Sequence, residues 1–512
     1  MNKLMSRRAL ITAFILLVLA CVIQSLGSFN NDVASLLYDT QLMLTKGAYV
    51  NDFFETNPPM IFYIYTPVIL ISKLIPLSLA VLFRIYLFAW IGISMICCFK
   101  LLKQIFVKDK DDIMLGGFFI VLFFILLFLP GNEFGQREHF LMIFMLPYLF
   151  SAVLAAQNKK IHWVFAVWIG LMAGMGFGLK PYFLLPVILI ECYLIVIKRH
   201  LFAWIRVESI VCLSVLTLYL ASVFIFYKTY IHIMLPLISH LYFMSTKEPW
   251  IHIFISPSVV FCVLVWIGFF VFFKQSKQRE LIAILMLSLT GMIAAFLVPR
   301  AAWFYHVLPA MGLACLLAWL YGYNAISILF KDTVLSRVNI CFLIASGLFI
   351  FSIPFYYCIL TTEKAIKEKN STHFNLLTAY INSLPCPRGI YCFSVNTTLD
   401  CFPLVYQTHS DFAGRFPFFW WLRGLLKLEM NTGNALSPVI ARDKNYLIDK
   451  IAEDLNRYQA RVIIVNELFE SEQLGDDFDF VAYFSQNVNF RAAWRPYHYL
   501  KTIDVYQIYI RS

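Results

Sequence analysis

The sequence predicts a polytopic α-helical membrane protein of about eleven transmembrane helices, with a cytoplasmic N-terminus and a C-terminal extracytoplasmic α/β domain. Three observations carry this prediction. Of the 512 residues, 61% are hydrophobic and only 14% charged, whereas a soluble chain is about half apolar and about a quarter charged. Apolar runs of spanning length recur up to about residue 360. Lys and Arg gather in alternate short gaps between those runs, as they do on the cytoplasmic side of a membrane. The net charge of +11 follows from that excess, so nucleic acid is not an expected partner. The twelve cysteines are scattered, mostly within apolar runs, and form no CxxC pair. That excludes the usual zinc and redox motifs.

The first span covers 9–27, with Lys3, Arg7 and Arg8 on its cytoplasmic side. It is long for a signal-peptide core and no small-x-small cleavage site follows, so it reads as a retained helix. A polar external stretch follows, and then two apolar runs, 59–75 and 77–102. If both crossed, the basic cluster Lys100, Lys103, Lys108 and Lys110 would lie outside. Charge parity therefore makes 59–75 an interfacial or re-entrant helix of the first external loop, 28–76. The remaining spans are 113–129, 140–156, 164–179, 182–197, 210–226, 259–273, 281–298, 306–323 and 338–360.

The composition shifts after residue 360, where charged residues, Asn and Thr rise. This divides the chain into a transmembrane domain, 1–360, and an external domain, 361–512. Strands are expected at 389–394, 461–465 and 503–510, and amphipathic helices at 373–384 and 446–458. Cys386 and Cys392 are expected on the oxidising side, close enough in sequence for a disulfide. The aromatic run from Arg415 to Trp421 suits a membrane surface.

The same parity places most chemistry-bearing residues outside. Asp32 and Glu55 lie in the first external loop, and Glu133, Arg137, Glu138 and His139 in the second. Lys180 lies in the third, Lys228, His232, His240 and Lys247 in the fourth, and Arg300, Tyr305 and His306 in the fifth. Carboxylates among several cations suit transfer of a sugar from a lipid phosphate to a hydroxyl. A carboxylate takes the hydroxyl proton, and Arg and Lys stabilise the departing phosphate. Each residue also has a plain structural role available. Asp32 suits the N-cap of a helix over 33–45, Glu55 can orient its loop, and Lys180 can extend to the interface. The His spacing matches no metal motif. No cofactor is indicated, although a divalent cation bridging Asp32 or Glu138 to a phosphate is compatible with the residues.

These residues resemble the GT-C superfamily of polyprenyl-phosphate-sugar-dependent glycosyltransferases, in particular protein O-mannosyltransferases and lipid A aminoarabinose transferases. The resemblance rests on Asp32 after the first span, KGAYVNDFF followed by NPPMIFYIY, QREHFLMIFMLPYLF, GLMAGMGFGLKPYFLLP and RAAWFYHVLPAMGLA. It covers about residues 9–325. It implies Asp32 as catalytic base, Glu138 or His139 as a site residue of the second loop, and Lys180 and Arg300 near the donor's lipid phosphate. Glu55 as a further catalytic acid, and Arg137, Tyr305 and His306 as donor-binding residues, are candidates from their own chemistry and placement. Expected partners are a polyprenyl-phosphate sugar, a glycan, lipid or protein acceptor, and membrane lipids. Two positions depart from the family. Val33 follows Asp32 where Glu is common, and Thr56-Asn57 precede Pro58-Pro59 where the aminoarabinose branch has Glu-Lys. The second departure moves phosphate binding towards Arg137 or Lys180 and leaves the acceptor open.

The composition, rich in Phe, Ile, Lys and Asn, suits a bacterial plasma (inner) membrane with a periplasmic C-terminal domain. The competing readings are a transporter or flippase, an O-antigen ligase-type protein for lipid-linked glycans, and a membrane scaffold. Transporters usually carry mid-span charges and internal repeats, and this sequence shows no repeat.

Overall fold

The computed structural model describes residues 2–45, 47–106, 112–274, 276–329, 337–385, 389–395, 401–402, 404–432, 436–466 and 478–512. They form two compact units. The first gathers Met1–Gly27, Leu77–Ala221 and Glu248–Ala365, and the second Ser28–Pro76, Ser222–Lys247 and Ile366–Ser512.

The helices of the chain begin with α1 (Asn2–Leu26), α2 (Asn31–Leu44), α3 (Met60–Ser72), α4 (Leu79–Ile105), α5 (Asp112–Phe123), α6 (Arg137–Ala156), α7 (Trp163–Phe177), α8 (Leu184–Lys198) and α9 (Val207–Phe226). The first unit is built on α6. Every residue from Arg137 to Ala155 is buried, as expected of a helix that is apolar on all sides. Packed against it are α4, α7, α8 and the helices Arg279–Leu297 and Phe304–Leu329. Glycines allow the closest approaches. A Cβ added at Gly170 or Gly174 of α7 would fall 2.7 and 2.6 Å from the Cβ atoms of Val211 and Val215 on α9. This is the small-residue packing of membrane helices.

Among the described residues, six helices are long and apolar enough to cross a membrane: Leu79–Ile105, Arg137–Ala156, Pro181–Lys198, Val207–Phe226, Arg279–Leu297 and Phe304–Ile326. A seventh is added if Phe14–Leu26 and Asn31–Leu44 are counted as one span. Three other expected spans are helices of at most 17 residues, Met114–Phe128, Trp163–Phe177 and Pro257–Phe272. The last expected span lies in a helix that runs on to Lys369. The run expected to be interfacial is α3, whose 13 residues rise only about 20 Å, short of a hydrocarbon core of about 30 Å.

The second unit contains a five-stranded mixed sheet, ordered β2-β1-β3-β5-β4. Its strands are β1 (Gly389–Phe393), β2 (Asp411–Phe412), β3 (Val462–Asn466), β4 (Tyr497–Ile503) and β5 (Tyr506–Arg511). β1 pairs in parallel with β2 and β3, whereas β5 runs antiparallel to both β3 and β4. The expected α/β character is present. The single strand expected at 503–510 is instead the end of β4, a turn and β5. Asp504 takes the turn at φ 56°, a conformation that Asp tolerates better than most residues.

Two other expectations are corrected here. Cys392 is bonded to Cys401, and Cys386 lies outside the described residues. The Arg415–Trp421 run is core rather than membrane-facing surface. Phe416, Phe419 and Trp421 are fully buried, and Arg415 is 3% exposed. The reason is a distant partner: Arg415 donates through Nε to Asp454 at 2.7 Å and through its backbone N–H to the same carboxylate at 2.9 Å. Arg415 also fixes the first loop within this unit. It donates through Nη1 to the Val50 carbonyl at 2.8 Å and accepts from the Phe54 N–H at 2.9 Å. Val50 holds a left-handed φ of 74°, costly for a β-branched residue. The bond to Arg415 helps keep it there.

Candidate functional site

The second unit carries Asp32 and Glu55. The cap of α2 is Asn30, whose side chain accepts from the Val33 N–H at 3.1 Å. Asp32 is therefore not the N-cap. It sits in the first turn, partly exposed, where the helix dipole favours a negative charge. Glu55 is buried and ties down the turn that leads to Pro58-Pro59. Its Oε1 accepts from the Asn57 N–H at 2.8 Å, the Thr56 hydroxyl at 3.1 Å and Asn57 Nδ2 at 2.5 Å. Tyr49 and Tyr230 brace the same turn by donating to the carbonyls of Asn57 and Thr56, at 2.7 and 3.1 Å.

Sequence reasoning singled out Asp32 and passed over Asp39, two helical turns further along α2. Asp39 is 1% exposed, and its Oδ2 has no hydrogen-bond partner. Burial, reinforced by the charge of Glu55, holds its carboxyl well above the usual carboxylate range. The available signal was its spacing, since residues i and i+7 share a helix face.

The first unit brings together Arg137, Glu138, Lys180, Tyr305 and His306. Arg137 and Glu138 open α6, Lys180 precedes the short turn Pro181–Phe183, and Tyr305 and His306 open the helix Phe304–Leu329. Lys180 Nζ donates to Glu138 Oε1 at 2.5 Å, with the two residues 8% and 1% exposed. His306 Nε2 stands 4.0 Å from the same oxygen, and Arg137 Nε 3.9 Å from Glu138 Oε2. The guanidinium of Arg137 and the ammonium of Lys180 each lie 5.7 Å from the Tyr305 ring centre, within cation–π range.

Two permanent cations thus share one carboxylate in a buried setting. The N-termini of two helices meet there, and each adds a partial positive charge. Such an arrangement attracts an anion, and phosphate is the anion that Arg, Lys and helix N-termini bind best.

Two expected members lie apart from this cluster. His139 is fully buried, with both ring nitrogens bonded to backbone. Nδ1 accepts from the Gly135 N–H at 3.0 Å, so Nε2 donates to the Leu126 carbonyl at 2.8 Å. It braces the turn before α6. Arg300 donates to the Glu248 carbonyl at 3.0 Å, and its guanidinium sits 4.4 Å from the Trp250 ring centre. Among the described residues, no group of three or more His, Cys, Asp and Glu is arranged to hold a metal ion.

No protein-family model matches the chain. No curated protein matches it either. Solved structures do. ArnT from Cupriavidus metallidurans bound to undecaprenyl phosphate superposes with a TM-score of 0.55 at 9% identity, over 97% of this chain and 97% of that one. ArnT in the apo state gives 0.55 at 10% identity with the same coverage. The chain therefore carries the fold of ArnT over nearly its whole length.

Proposed function

We propose that the protein is a membrane-embedded inverting glycosyltransferase. It moves a sugar from a polyprenyl phosphate to a hydroxyl of an envelope glycan, lipid or protein. The observation that carries this reading is the buried cluster in which Arg137 and Lys180 share Glu138. Two buried cations at one place suit a phosphate on a lipid carrier. The likeness to a fold found bound to undecaprenyl phosphate supports the same donor class. Arg137 and Lys180 bind the phosphate, Tyr305 and His306 line its surroundings, and Glu138 holds Lys180 in place. Asp32 takes the proton of the attacking hydroxyl as general base, and Glu55 fixes the loop that presents the acceptor. The hydroxyl attacks the anomeric carbon in one displacement as the phosphate leaves, which inverts that carbon.

We place the protein in a bacterial inner membrane, with eleven crossings and residues 361–512 on the periplasmic side. The three helices shorter than a full crossing suit a bundle that thins the bilayer locally.

The test is transfer in liposomes. Full-length protein is supplied with a panel of radiolabelled undecaprenyl-phosphate hexoses and pentoses and an envelope extract as acceptor. The wild-type protein labels the acceptor with one donor, and Asp32→Asn does not. Equal labelling by Asp32→Asn removes Asp32 as base, and no labelling from any donor removes the glycosyltransferase reading.

A further inference from the structure

A cavity of about 460 Å³ opens in the second unit, between the first loop and the helix Pro438–Tyr458. Asn51, Arg415, Glu453, Asn456 and Arg457 line it. Glu453, Asn456 and Arg457 stand at i, i+3 and i+4, so they share one face of that helix. Asn51 comes from a turn closed on itself. The Val50 N–H donates to the Phe53 carbonyl at 2.8 Å, and the Ala48 N–H to the Asp52 carboxylate at 2.9 Å. Arg415 is the buried member of the lining, and the other four residues are exposed.

Ion pairs hold this lining in place. Arg415 Nε lies 2.7 Å from Asp454, and its Nη2 3.1 Å from Glu453. Arg457 donates to Asp52 Oδ1 at 2.7 Å and to the Asn51 carbonyl at 2.9 Å. Lys450 donates to both oxygens of Glu453 at 2.8 Å. Each of these three cations therefore has a carboxylate partner. Donors nevertheless remain, since a guanidinium carries five N–H groups. Arg415 commits three of them, to Asp454, Val50 and Glu453, and Arg457 commits two. The carboxamides of Asn51 and Asn456 add further donors and two acceptor oxygens.

Such a lining selects its ligand. An anion gains little here, because a carboxylate already balances each cation. An apolar chain would strip water from the remaining N–H groups and give no bond in return, which is costly. A neutral saccharide presents adjacent hydroxyls, each both donor and acceptor, and the lining offers both kinds of partner. The ion pairs fix the side chains of Arg415, Glu453 and Arg457 before a ligand arrives, which lowers the ordering cost of binding. We propose that the cavity is a subsite for a neutral sugar unit of the acceptor, which makes the acceptor a glycan-bearing molecule. The inference rests on the glycosyltransferase reading above. Asn51 and Glu55 belong to one loop, and Arg415 holds that loop on both sides of Asn51, through the Val50 carbonyl and the Phe54 N–H. A sugar seated between Asn51 and Asn456 is thereby held on the loop that presents the acceptor. No bond is made or broken in the subsite, and its contribution is to acceptor binding alone.

Two measurements on full-length protein in liposomes test the proposal. The first is binding without donor, read by saturation-transfer NMR. The probes are oligosaccharides released from envelope extract and split by anion exchange into a neutral and an acidic fraction, with peptides of the same extract as a third. Wild type binds the neutral fraction saturably. The double variant Asn51→Ala, Asn456→Ala binds it about fivefold more weakly, having lost two hydrogen-bonding side chains. Both side chains are exposed, so the unfolding temperature stays that of wild type. The second measurement is transfer from the donor panel to the extract. The double variant raises the apparent KM for acceptor by the same factor and leaves kcat unchanged. Equal binding by wild type and the double variant overturns the subsite. Binding of the acidic fraction alone, or of the peptides alone, overturns its assignment to a neutral sugar. Weakened binding with an unchanged KM overturns its acceptor role. Saturable binding of the neutral fraction without transfer from any donor overturns the glycosyltransferase reading and leaves the sugar site in place.

Discussion

Lys180 donates to Glu138 at 2.5 Å in a setting where the two residues are 8% and 1% exposed. The pair fixes an ammonium beside Arg137, whose Nε stands 3.9 Å from the other oxygen of the same carboxyl group. Removing Glu138 takes this carboxylate from both cations, and removing Lys180 leaves it with Arg137 at 3.9 Å.

Lys180→Ala should therefore lose binding of undecaprenyl phosphate. The expected drop is at least tenfold in affinity, since charge-assisted bonds to phosphate contribute about 1.5–3 kcal/mol. Fluorescence or native mass spectrometry with undecaprenyl phosphate reads this directly. Lys180→Arg should retain part of the binding.

Asp32→Asn should leave folding unchanged, because Asn30 and not Asp32 caps α2. Transfer should fall about 10²–10⁴-fold, the usual contribution of a positioned general base. Unfolding temperature and transfer rate, measured on one preparation, separate the two effects.

Arg415→Ala should destabilise the second unit by about 3–5 kcal/mol, the usual cost of breaking a buried ion pair. Asp454 would be left 0% exposed without its cation. The loop around Val50 would also lose its anchor. Limited proteolysis at 48–55 should accelerate with the fall in unfolding temperature.

Asp39→Asn should change how stability depends on pH. The folded-state pKa of Asp39 is raised by burial, with Glu55 adding to it. The native state therefore holds the proton more tightly than the unfolded chain. Stability from this group is complete below the ordinary Asp pKa of 3.8 and is lost as pH rises through the raised value. Near neutral pH, Asp39→Asn should match or exceed wild type in unfolding temperature. At acid pH the two should converge.

Much of this fold was legible in the sequence because hydrophobic length and Lys/Arg placement act locally. Helices occupy the expected spans, and the run 59–75, expected from charge parity at the interface, contains the 13-residue helix α3. The cluster was legible residue by residue, although nothing in the spacing of Glu138 and Lys180 reveals a contact across 42 positions. Errors arose where a distant partner decides. Arg415 to Trp421 has the composition of a membrane-surface segment, and Asp454, 39 residues away, draws it into the core. Cys392 pairs with Cys401, a choice that sequence spacing does not encode. Asn30 replaces Asp32 as N-cap, a shift of two residues, as helix boundaries often shift. Glu191 also escaped notice. It lies within α8, where Arg206 makes a two-point contact with it at 2.9 Å and Tyr148 donates to it at 2.6 Å. A mid-helix acid of this kind is tolerated because its partners come from elsewhere in the chain.

The most direct test of the central claim is donor turnover. Full-length protein in liposomes is given its radiolabelled undecaprenyl-phosphate sugar and acceptor extract, and released undecaprenyl phosphate is counted against sugar transferred. The account predicts one undecaprenyl phosphate per sugar moved by wild type, and neither product from Asp32→Asn or Lys180→Ala. Equal turnover by Lys180→Ala and wild type would contradict it.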